Sequence, residues 1–178
     1  MLRPRPLPFL VFVFLTSSIA HASAQTQAVT PVTATALQKM LPAVDGWTIG
    51  VTRSDQVVLS PDAKYSYASV TLTKNDSRVK VQLSDTGMSA DSLTALAMVV
   101  MAMPDDYAAD VSGAAIKRTK LGESPAAEMW EAAKNAGEIT AVVAGRFVVS
   151  VESSKIDSLD VLRSIFAKVD LKALAALK

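Results

Sequence analysis

Asp85-Thr86-Gly87 is the part of the sequence whose residue types and order most suggest chemistry. It follows a segment in which Val79, Val81 and Leu83 alternate with polar residues, so we expect the carboxyl group at the end of a β-strand. A carboxylate can activate water when a second carboxylate lies close enough for the two to share one proton. That chemistry needs neither histidine nor cysteine, and the composition of the chain therefore permits it.

The tripeptide resembles the active-site signature of the aspartic proteases, and in retroviral-type members each of two subunits contributes one such loop. The apolar-Gly-Arg run at residues 142–146 lies about where that family carries its later apolar-Gly motif. Ser84 and Met88 depart from the family's pattern, and the alternation at residues 147–151 predicts a strand where the protease has a helix. Because Asp-Thr-Gly is also a favourable turn at a strand end, we interpret Asp85 as a turn residue and retain it as the one catalytic candidate.

The first 24 residues have the features of a secretory signal peptide. Two arginines precede an apolar run at residues 7–15, and the small residues Ala22-Ser23-Ala24 follow. The apolar run is shorter than the roughly 20 residues that a membrane span requires. We predict cleavage after Ala24 and a periplasmic or secreted protein, with a flexible mature N-terminus at residues 25–33 and a single domain at residues 34–178.

Composition excludes several classes of function. The chain has no cysteine, and its only histidine, His21, lies within the predicted signal peptide. Disulfides, thiolate metal sites, Ser-His-Asp catalysis and histidine-ligated zinc are therefore excluded from the mature chain. Arg3 and Arg5 account for two of the 18 basic residues, which leaves 16 against 17 acidic residues. This near-neutral balance argues against nucleic-acid binding, and we predict no cofactor and no metal site.

Three small groups of charged residues follow in the second half of the chain. The acidic group lacks the spacing of a calcium-binding loop, and the basic group is typical of a solvated outer face. The third is a pair of glutamates that point to opposite faces if their segment is a strand. The groups are Asp105, Asp106 and Asp110; Lys117, Arg118 and Lys120; and Glu128 with Glu131.

Hydrophobic periodicity predicts the order helix, three strands, helix, three or four strands, helix. The uncertain segment is residues 125–135, where Ala, Glu, Met and Lys favour a helix and the following branched residues favour a strand. Asp157 is expected to cap the last helix, whose apolar spacing continues into residues 171–177. Trp47, Ile49 and Val51 alternate, which predicts a strand with one buried face, and residues 65–72 and 79–83 predict a β-hairpin with a polar outer side that includes Lys80. The predicted strands lie at residues 47–51, 65–72, 79–83, 115–121, 139–143 and 147–151, and the predicted helices near residues 37–41, 92–103 and 157–169.

These elements predict an α+β fold, with an antiparallel sheet of about six to seven strands covered by two to three helices. The fold resembles the PsbP-like architecture, and small exported bacterial proteins of unknown function. The segments that carry the resemblance are LPAVDGW near the start, YSYASVTL and VKVQLSD before the middle helix, and AGEITAVVAGRFVVSV before the last. The resemblance implies a fold and no chemistry, and on it we favour a strand at residues 125–135.

The middle helix, residues 92–103, is apolar on nearly every side. Its twelve residues would extend roughly 18 Å, which is too short to cross a bilayer core of about 30 Å. We expect part of Met98 and Met103 to remain accessible, and both are candidates for binding a partner because thioethers suit adaptable apolar contacts. The residues expected to pack on the sheet are Leu93, Leu96, Ala97, Val100 and Met101.

The leading hypothesis from the sequence is a non-enzymatic exported domain of binding or assembly function. Its partner would be an unknown protein or a small apolar ligand. One alternative is an aspartic-type protease that uses Asp85, and another is a structural or scaffold protein of the cell envelope.

Overall fold

The computed structural model describes residues 29–60, 63–87 and 95–177. Four helices and one 3-10 turn accompany a single sheet of eight strands. The helices are α1 (Ala34–Gln38), α2 (Ala95–Ala102), α3 (Leu159–Phe166) and α4 (Leu171–Ala175), and the 3-10 turn is Ala132–Lys134. The strands are β1 (Thr48–Ser60), β2 (Ala63–Lys74), β3 (Ser77–Asp85), β4 (Ala108–Val111), β5 (Ala114–Leu121), β6 (Ser124–Glu131), β7 (Ala136–Val143) and β8 (Phe147–Ser153).

The sheet is antiparallel throughout, in the order β1-β2-β3-β8-β7-β6-β5-β4. The strands form two runs, β1 to β3 and β4 to β8, in which consecutive strands are neighbours, and β3 pairs with β8 where the two runs meet. The turns contain residues that tolerate positive φ, such as Asn75 between β2 and β3 and Gly145 between β7 and β8. The α+β class is therefore confirmed.

The strand count is higher than the six to seven predicted. The strand absent from the prediction is β4, which has four residues, mostly exposed, and pairs only with β5 at one edge of the sheet. Such a short edge strand has no buried face to impose alternation on its sequence. Helix α3, with eight residues, is shorter than the predicted span of residues 157–169, and α1 begins three residues before the predicted span of residues 37–41.

The main core lies on the face of the sheet covered by α1, α3 and α4, which we call the three-helix face. Alternating residues of the central strands project into it, including Val81 of β3 and Val151 of β8, which are directly opposite each other. The helices contribute Leu37, Leu162 and Leu174, all fully buried. The alternation predicted for residues 65–72 and 79–83 is confirmed by this packing and by the antiparallel register of β2 with β3.

The residue predicted to cap the last helix, Asp157, is not its N-cap. Ser158, rather than Asp157, is the N-cap of α3, and its side chain makes no capping hydrogen bond. The tail forms a separate helix, α4, in which Asp170 caps the first turn by accepting a hydrogen bond from the amide of Ala173 at 2.9 Å. A short polar cap thus divides one apolar repeat into two helices.

One predicted strand does not have the buried face that its alternation indicated. Ile49 and Val51 of β1 are 57% and 62% exposed, and only the preceding Trp47 packs partly against the main core. The reason is position, since β1 is the edge strand of the sheet. Alternation predicts a strand but does not determine whether another layer covers it.

The ambiguous segment is a strand, as favoured. Residues 124–131 form β6, paired on both sides with β5 and β7. Of the segment that favours a helix by composition, only the short 3-10 turn after β6 is helical, and it ends at Asn135 in the left-handed conformation with φ of 49°. Pairing with two neighbours outweighs helix propensity here, because propensity differences amount to a few tenths of a kcal/mol per residue, about 0.7 at most for ordinary residues.

Helix α2 lies on the opposite face of the sheet, which we call the α2 face. Ala97 and Val100 are fully buried and pack with residues of β6, β7 and β8 in a second, smaller core. The predicted burial of Met101 is wrong, because its side chain is 52% exposed. Within the part of the chain that the structure describes, no helix is both long and apolar enough to cross a membrane.

The two methionines proposed as partner contacts differ in exposure. Met98 is 53% exposed, whereas Met103 is half-buried and packs against the smaller core. The predicted contacts of Leu93 and of the Leu96 side chain lie outside the described residues. The predicted signal peptide, residues 1–24, also lies outside them.

Candidate functional site

The α2 face of the sheet is covered only in part. Helix α2 packs on Ala127, Val142 and Val148, and the remainder of this face forms an open groove with a cavity of about 370 Å³. Strands β2, β3, β6, β7 and β8 contribute to its lining. The side chains that concern its chemistry are Thr71, Arg78, Lys80, Met129, Glu131, Glu138 and Glu152.

Strand register brings five of these side chains into one row across the sheet, which we call the charged row. From β2 to β6 it consists of Thr71, Lys80, Glu152, Glu138 and Met129, each directly opposite the next. Directly opposed residues of antiparallel strands project from the same face with Cβ atoms about 5 Å apart. Residues distant in sequence therefore become neighbours within the groove.

The two glutamates of the charged row have different partners. Glu152 forms an ion pair with Lys80, with 3.0 Å between Oε1 and Nζ, and both side chains are about half exposed. Glu138 has no ion pair among the described residues, and its Oε1 accepts a hydrogen bond from the Thr140 hydroxyl at 2.8 Å. Thr140 Oγ1 also lies 3.0 Å from Ser150 Oγ, and since Thr140 donates its one hydrogen to Glu138, Ser150 is the donor there.

The electrostatics of Glu138 follow from this arrangement. Burial is the largest influence and raises the pKa of its carboxyl above the ordinary value of 4.5. The hydrogen bond from Thr140 lowers that pKa, the negative charge of Glu152 raises it, and the positive charge of Lys80 lowers it, with a net upward shift. The groove thus holds the opposed carboxyl groups of Glu138 and Glu152, with Lys80 bonded to Glu152 alone, and its lining also includes Arg78 and Glu131.

This arrangement is suited to binding a cation. Like charges directly opposite each other on adjacent strands are destabilising, and a positive group placed near both removes that repulsion. In the described residues no group of three or more His, Cys, Asp or Glu side chains is arranged to hold a metal ion. The opposed carboxyl groups of Glu138 and Glu152 can accept hydrogen bonds from an organic cation.

The structure places Asp85 away from this groove, in a fully buried site at the end of β3. Its Oδ1 accepts hydrogen bonds from the amide of Gly87 and from Nε of Arg146, both at 2.9 Å. Its Oδ2 accepts from the amide of Val32 at 2.7 Å and from Nη2 of Arg146 at 2.6 Å. With two donors on each oxygen and no exposed surface, Asp85 joins the chain's early segment to β3 and to the turn before β8.

Among the acidic and basic groups singled out from the sequence, Asp105 forms ion pairs with Arg118 and with Lys120. Asp105 lies 3.5 Å from Arg118 and 3.4 Å from Lys120. The predicted solvated position of Arg118 is wrong, since its side chain is only 10% exposed, although Lys117 and Lys120 are exposed. Asp110 accepts a hydrogen bond from the amide of Gly113 at 3.0 Å, which is a turn contact.

Glu128 and Glu131 lie on opposite faces of β6, as a strand predicts. Buried Glu128 accepts two hydrogen bonds from Arg163 of α3, at 2.8 and 2.6 Å, and these bonds hold the pKa of Arg163 above its usual range. Glu131 pairs with Lys134 at 2.6 Å beside the groove. Glu128 therefore fastens α3 to the sheet, and only Glu131 contributes to the groove.

The sequence predictions did not identify the charged row. Lys80 was assigned to the polar outer side of a hairpin, and Glu138 and Glu152 lie in strands of otherwise apolar character. A glutamate within such a strand was the available signal, but the pairing of the strands is needed to bring the acids together. The structure also separates Met98, Met103 and Asp85 from the charged row, so the earlier candidates do not form one site with it.

Comparison of the chain with protein-family models, with curated proteins and with solved structures finds no match in any of the three.

Proposed function

We propose that this protein is an exported, non-enzymatic binding protein whose groove on the α2 face holds a small ligand with an organic cation, such as a primary amine or a guanidinium group. The observation that carries this proposal is the direct opposition of Glu138 and Glu152 on adjacent strands, with Lys80 paired to Glu152 alone. Export is supported by the Ala22-Ser23-Ala24 sequence after an apolar run.

The free energy of binding would come from relief of an unfavourable arrangement. Glu138 is partly desolvated and faces a second carboxylate, so its ionised form is disfavoured in the empty groove. A ligand ammonium group would form charge-assisted hydrogen bonds with it, which are roughly twice as strong as those between neutral groups. Binding would therefore be coupled to loss of the Glu138 proton at a pH where that proton is retained.

The dimensions and the remaining lining favour a short ligand. A cavity of about 370 Å³ lies near the lower end of the range of about 300–1,000 Å³ typical of small-molecule sites. Met129 and Ala136 provide an apolar wall beside the acids. An alkyl chain that ends in a cation matches this combination better than the wholly apolar ligand expected from composition, because an apolar ligand would leave Glu138 without an ion-pair partner.

The alternatives have less support. A protease that uses Asp85 would need a carboxylate accessible to water, and all four hydrogen bonds of Asp85 are to groups of the chain itself. Within the binding proposal we retain the PsbP-like fold, supported by an antiparallel sheet with helices on both faces.

Isothermal titration calorimetry of the purified protein with agmatine and putrescine tests the proposal. We expect saturable binding of at least one of these amines, weakened about tenfold by Glu138→Gln, which corresponds to about 1.4 kcal/mol. Glu123→Gln is the matched control, because Glu123 is exposed and lies outside the groove. Absence of binding at millimolar amine, or equal affinity in Glu138→Gln, would exclude the proposed site.

A further inference from the structure

Strand β1 presents a long open edge. It has 13 residues, pairs only with β2, and leaves its other side unpaired among the described residues. Apolar side chains near both of its ends are exposed, namely Ile49, Val51, Val58 and Leu59. Long exposed edges of this kind are sites where a further strand can add to a sheet.

The direction of the backbone groups on this edge can be assigned from one contact. The amide of Gln56 donates to the side chain of Asp55 at 2.7 Å, which places this amide on the open side of the strand. Because amide direction alternates along a strand, Ser54 and Thr52 also direct their backbone groups outward. A partner strand would thus form hydrogen bonds with residues 52, 54 and 56.

The order of side chains along β1 is self-complementary about Ser54. If a second β1 lies antiparallel with Ser54 opposite Ser54, then Arg53 faces Asp55 of the other copy and Thr52 faces Gln56. Farther out, β1 carries a register shift relative to β2 between Ile49 and Thr52 and another between Val58 and Ser60, so its regular part is residues 52–58. These central pairs join residues of like character or opposite charge, and residues 52, 54 and 56 meet residues 56, 54 and 52, so their outward backbone groups coincide.

We propose that the protein forms a two-fold symmetric dimer through antiparallel pairing of β1 with β1, centred on Ser54, which joins the two sheets into one of sixteen strands. Registers centred on residue 53 or residue 55 would also preserve the hydrogen bonding between the strands, but their charge pairs are less favourable. Moving the centre to residue 53 places Arg53 against Arg53, and moving it to residue 55 places Asp55 against Asp55, and like charges directly opposite are destabilising. Such a contact is isologous and closed, so it produces dimers rather than fibres.

One contact within the single chain explains how the open edge avoids pairing with unrelated strands. Asp55 occupies the outward amide of Gln56 in the monomer, which protects the edge from unrelated strands. In the dimer Asp55 would leave that amide and pair with Arg53 of the other copy, and the amide would bond to the backbone of Thr52. An unrelated strand without a cation at the matching position would give Asp55 no ion pair in place of its hydrogen bond to the Gln56 amide.

A charge-swap experiment by sedimentation velocity tests this proposal. We expect the purified protein to be a dimer at micromolar concentration, and we expect Arg53→Asp and Asp55→Arg each to weaken self-association about tenfold or more, since each turns two attractive pairs per dimer into repulsive ones. An equimolar mixture of the two variants should restore the dimer, because positions 53 and 55 of one then meet opposite charges in the other. Restoration also shows that both variants are folded.

Two results would overturn the proposal. One is a monomer at all concentrations up to about 100 μM, which would mean that the edge remains open or accepts a different protein. The other is a dimer that neither single variant weakens, which would place the interface elsewhere. A second measurement is independent of charge: Ser54→Cys in this cysteine-free chain should give a disulfide-linked dimer on oxidation, and Glu123→Cys should not.

Discussion

Asp85 and Arg146 form a buried, two-bonded ion pair between the end of β3 and the turn that joins β7 to β8. Nε and Nη2 of the guanidinium donate separately to the two carboxylate oxygens, at 2.9 and 2.6 Å, and the two side chains are 0% and 11% exposed. The amides of Val32 and Gly87 satisfy the remaining acceptor positions. This geometry meets the condition under which a buried ion pair is tolerated, namely that every desolvated group has a partner.

Removing one member of this pair should be strongly destabilising. Asp85→Asn leaves the Arg146 guanidinium desolvated without a countercharge, so we expect the free energy of unfolding to fall by about 3–5 kcal/mol. Urea unfolding followed by the fluorescence of Trp47 and Trp130, both of which pack partly on the main core, measures this quantity.

Asp160→Asn is the control for that experiment. Asp160 also forms a 2.6 Å ion pair, with Arg163, but its side chain is 78% exposed. An exposed pair of this kind contributes about 1 kcal/mol or less. Similar losses in the two variants would contradict the structural role assigned to Asp85, and folded Asp85→Asn that has lost casein hydrolysis seen in the wild type would favour the protease hypothesis instead.

Gly87 should tolerate alanine less well than Gly145. Both adopt positive φ, at 58° and 64°, and alanine in that region costs about 1–2 kcal/mol. At Gly145 an added Cβ has no atom within 4 Å, so strain is the only cost. At Gly87 the added Cβ would collide with the carbonyl oxygen of Val29 and press on Pro31, which would also displace the amide that donates to Asp85.

Thermal unfolding of Gly87→Ala and Gly145→Ala compares these costs directly. We expect both melting temperatures to fall, and Gly87→Ala to fall further. An equal decrease would show that the segment containing Val29 is not packed on Gly87.

The fold class was predictable from sequence because it depends on local pattern. The paired segments of β2 and β3 alternate strictly, and β7 and β8 are branched, apolar and separated by a glycine turn, so their type and their pairing follow from short-range rules. β4 was missed because a four-residue edge strand has almost no pattern, and β1 was assigned a buried face because alternation does not report which layers lie above it.

The candidate groove could not be predicted because it depends on a long-range pairing. Lys80 and Glu152 lie 72 positions apart and meet only because β3 pairs with β8. Likewise, Asp85 was recognised as a notable residue, but its partner Arg146 is 61 positions away and its role depends on that contact. Residue types indicated where chemistry was available, and the strand order determined which residues came together.

The stability of the protein should depend on pH through Glu138. Because burial raises the folded-state pKa of this carboxyl above its ordinary value of 4.5, the folded chain keeps a proton that the unfolded chain has already lost. The free energy of unfolding therefore falls as pH rises from near the unfolded value, and the loss is complete above the raised folded-state value. Glu138→Gln removes this titration, so the variant should gain stability relative to the wild type between about pH 4 and about pH 7.

Urea unfolding at about pH 4 and at about pH 7 measures the difference in the free energy of unfolding between Glu138→Gln and the wild type. Glu123→Gln is the control, and we expect its difference from the wild type to change little between the two pH values. A stability difference between wild type and Glu138→Gln that is the same at both pH values would mean that Glu138 titrates normally and that the groove does not desolvate it.

Peroxide oxidation should distinguish the methionines of the α2 region by their exposure. Met98 and Met101 are 53% and 52% exposed, whereas Met103 packs against the smaller core, so we expect the first two to form sulfoxide several-fold faster than the third. Peptide mapping of the folded protein gives the three rates, and the protein in denaturant gives the reference in which all three should react alike. Met101 was expected from sequence to face the sheet, and slow oxidation of Met101 together with Met103 would mean that α2 is rotated towards that arrangement. Fast oxidation of Met98 and Met101 instead identifies an apolar surface on α2 that lies apart from both the charged row and the edge of β1.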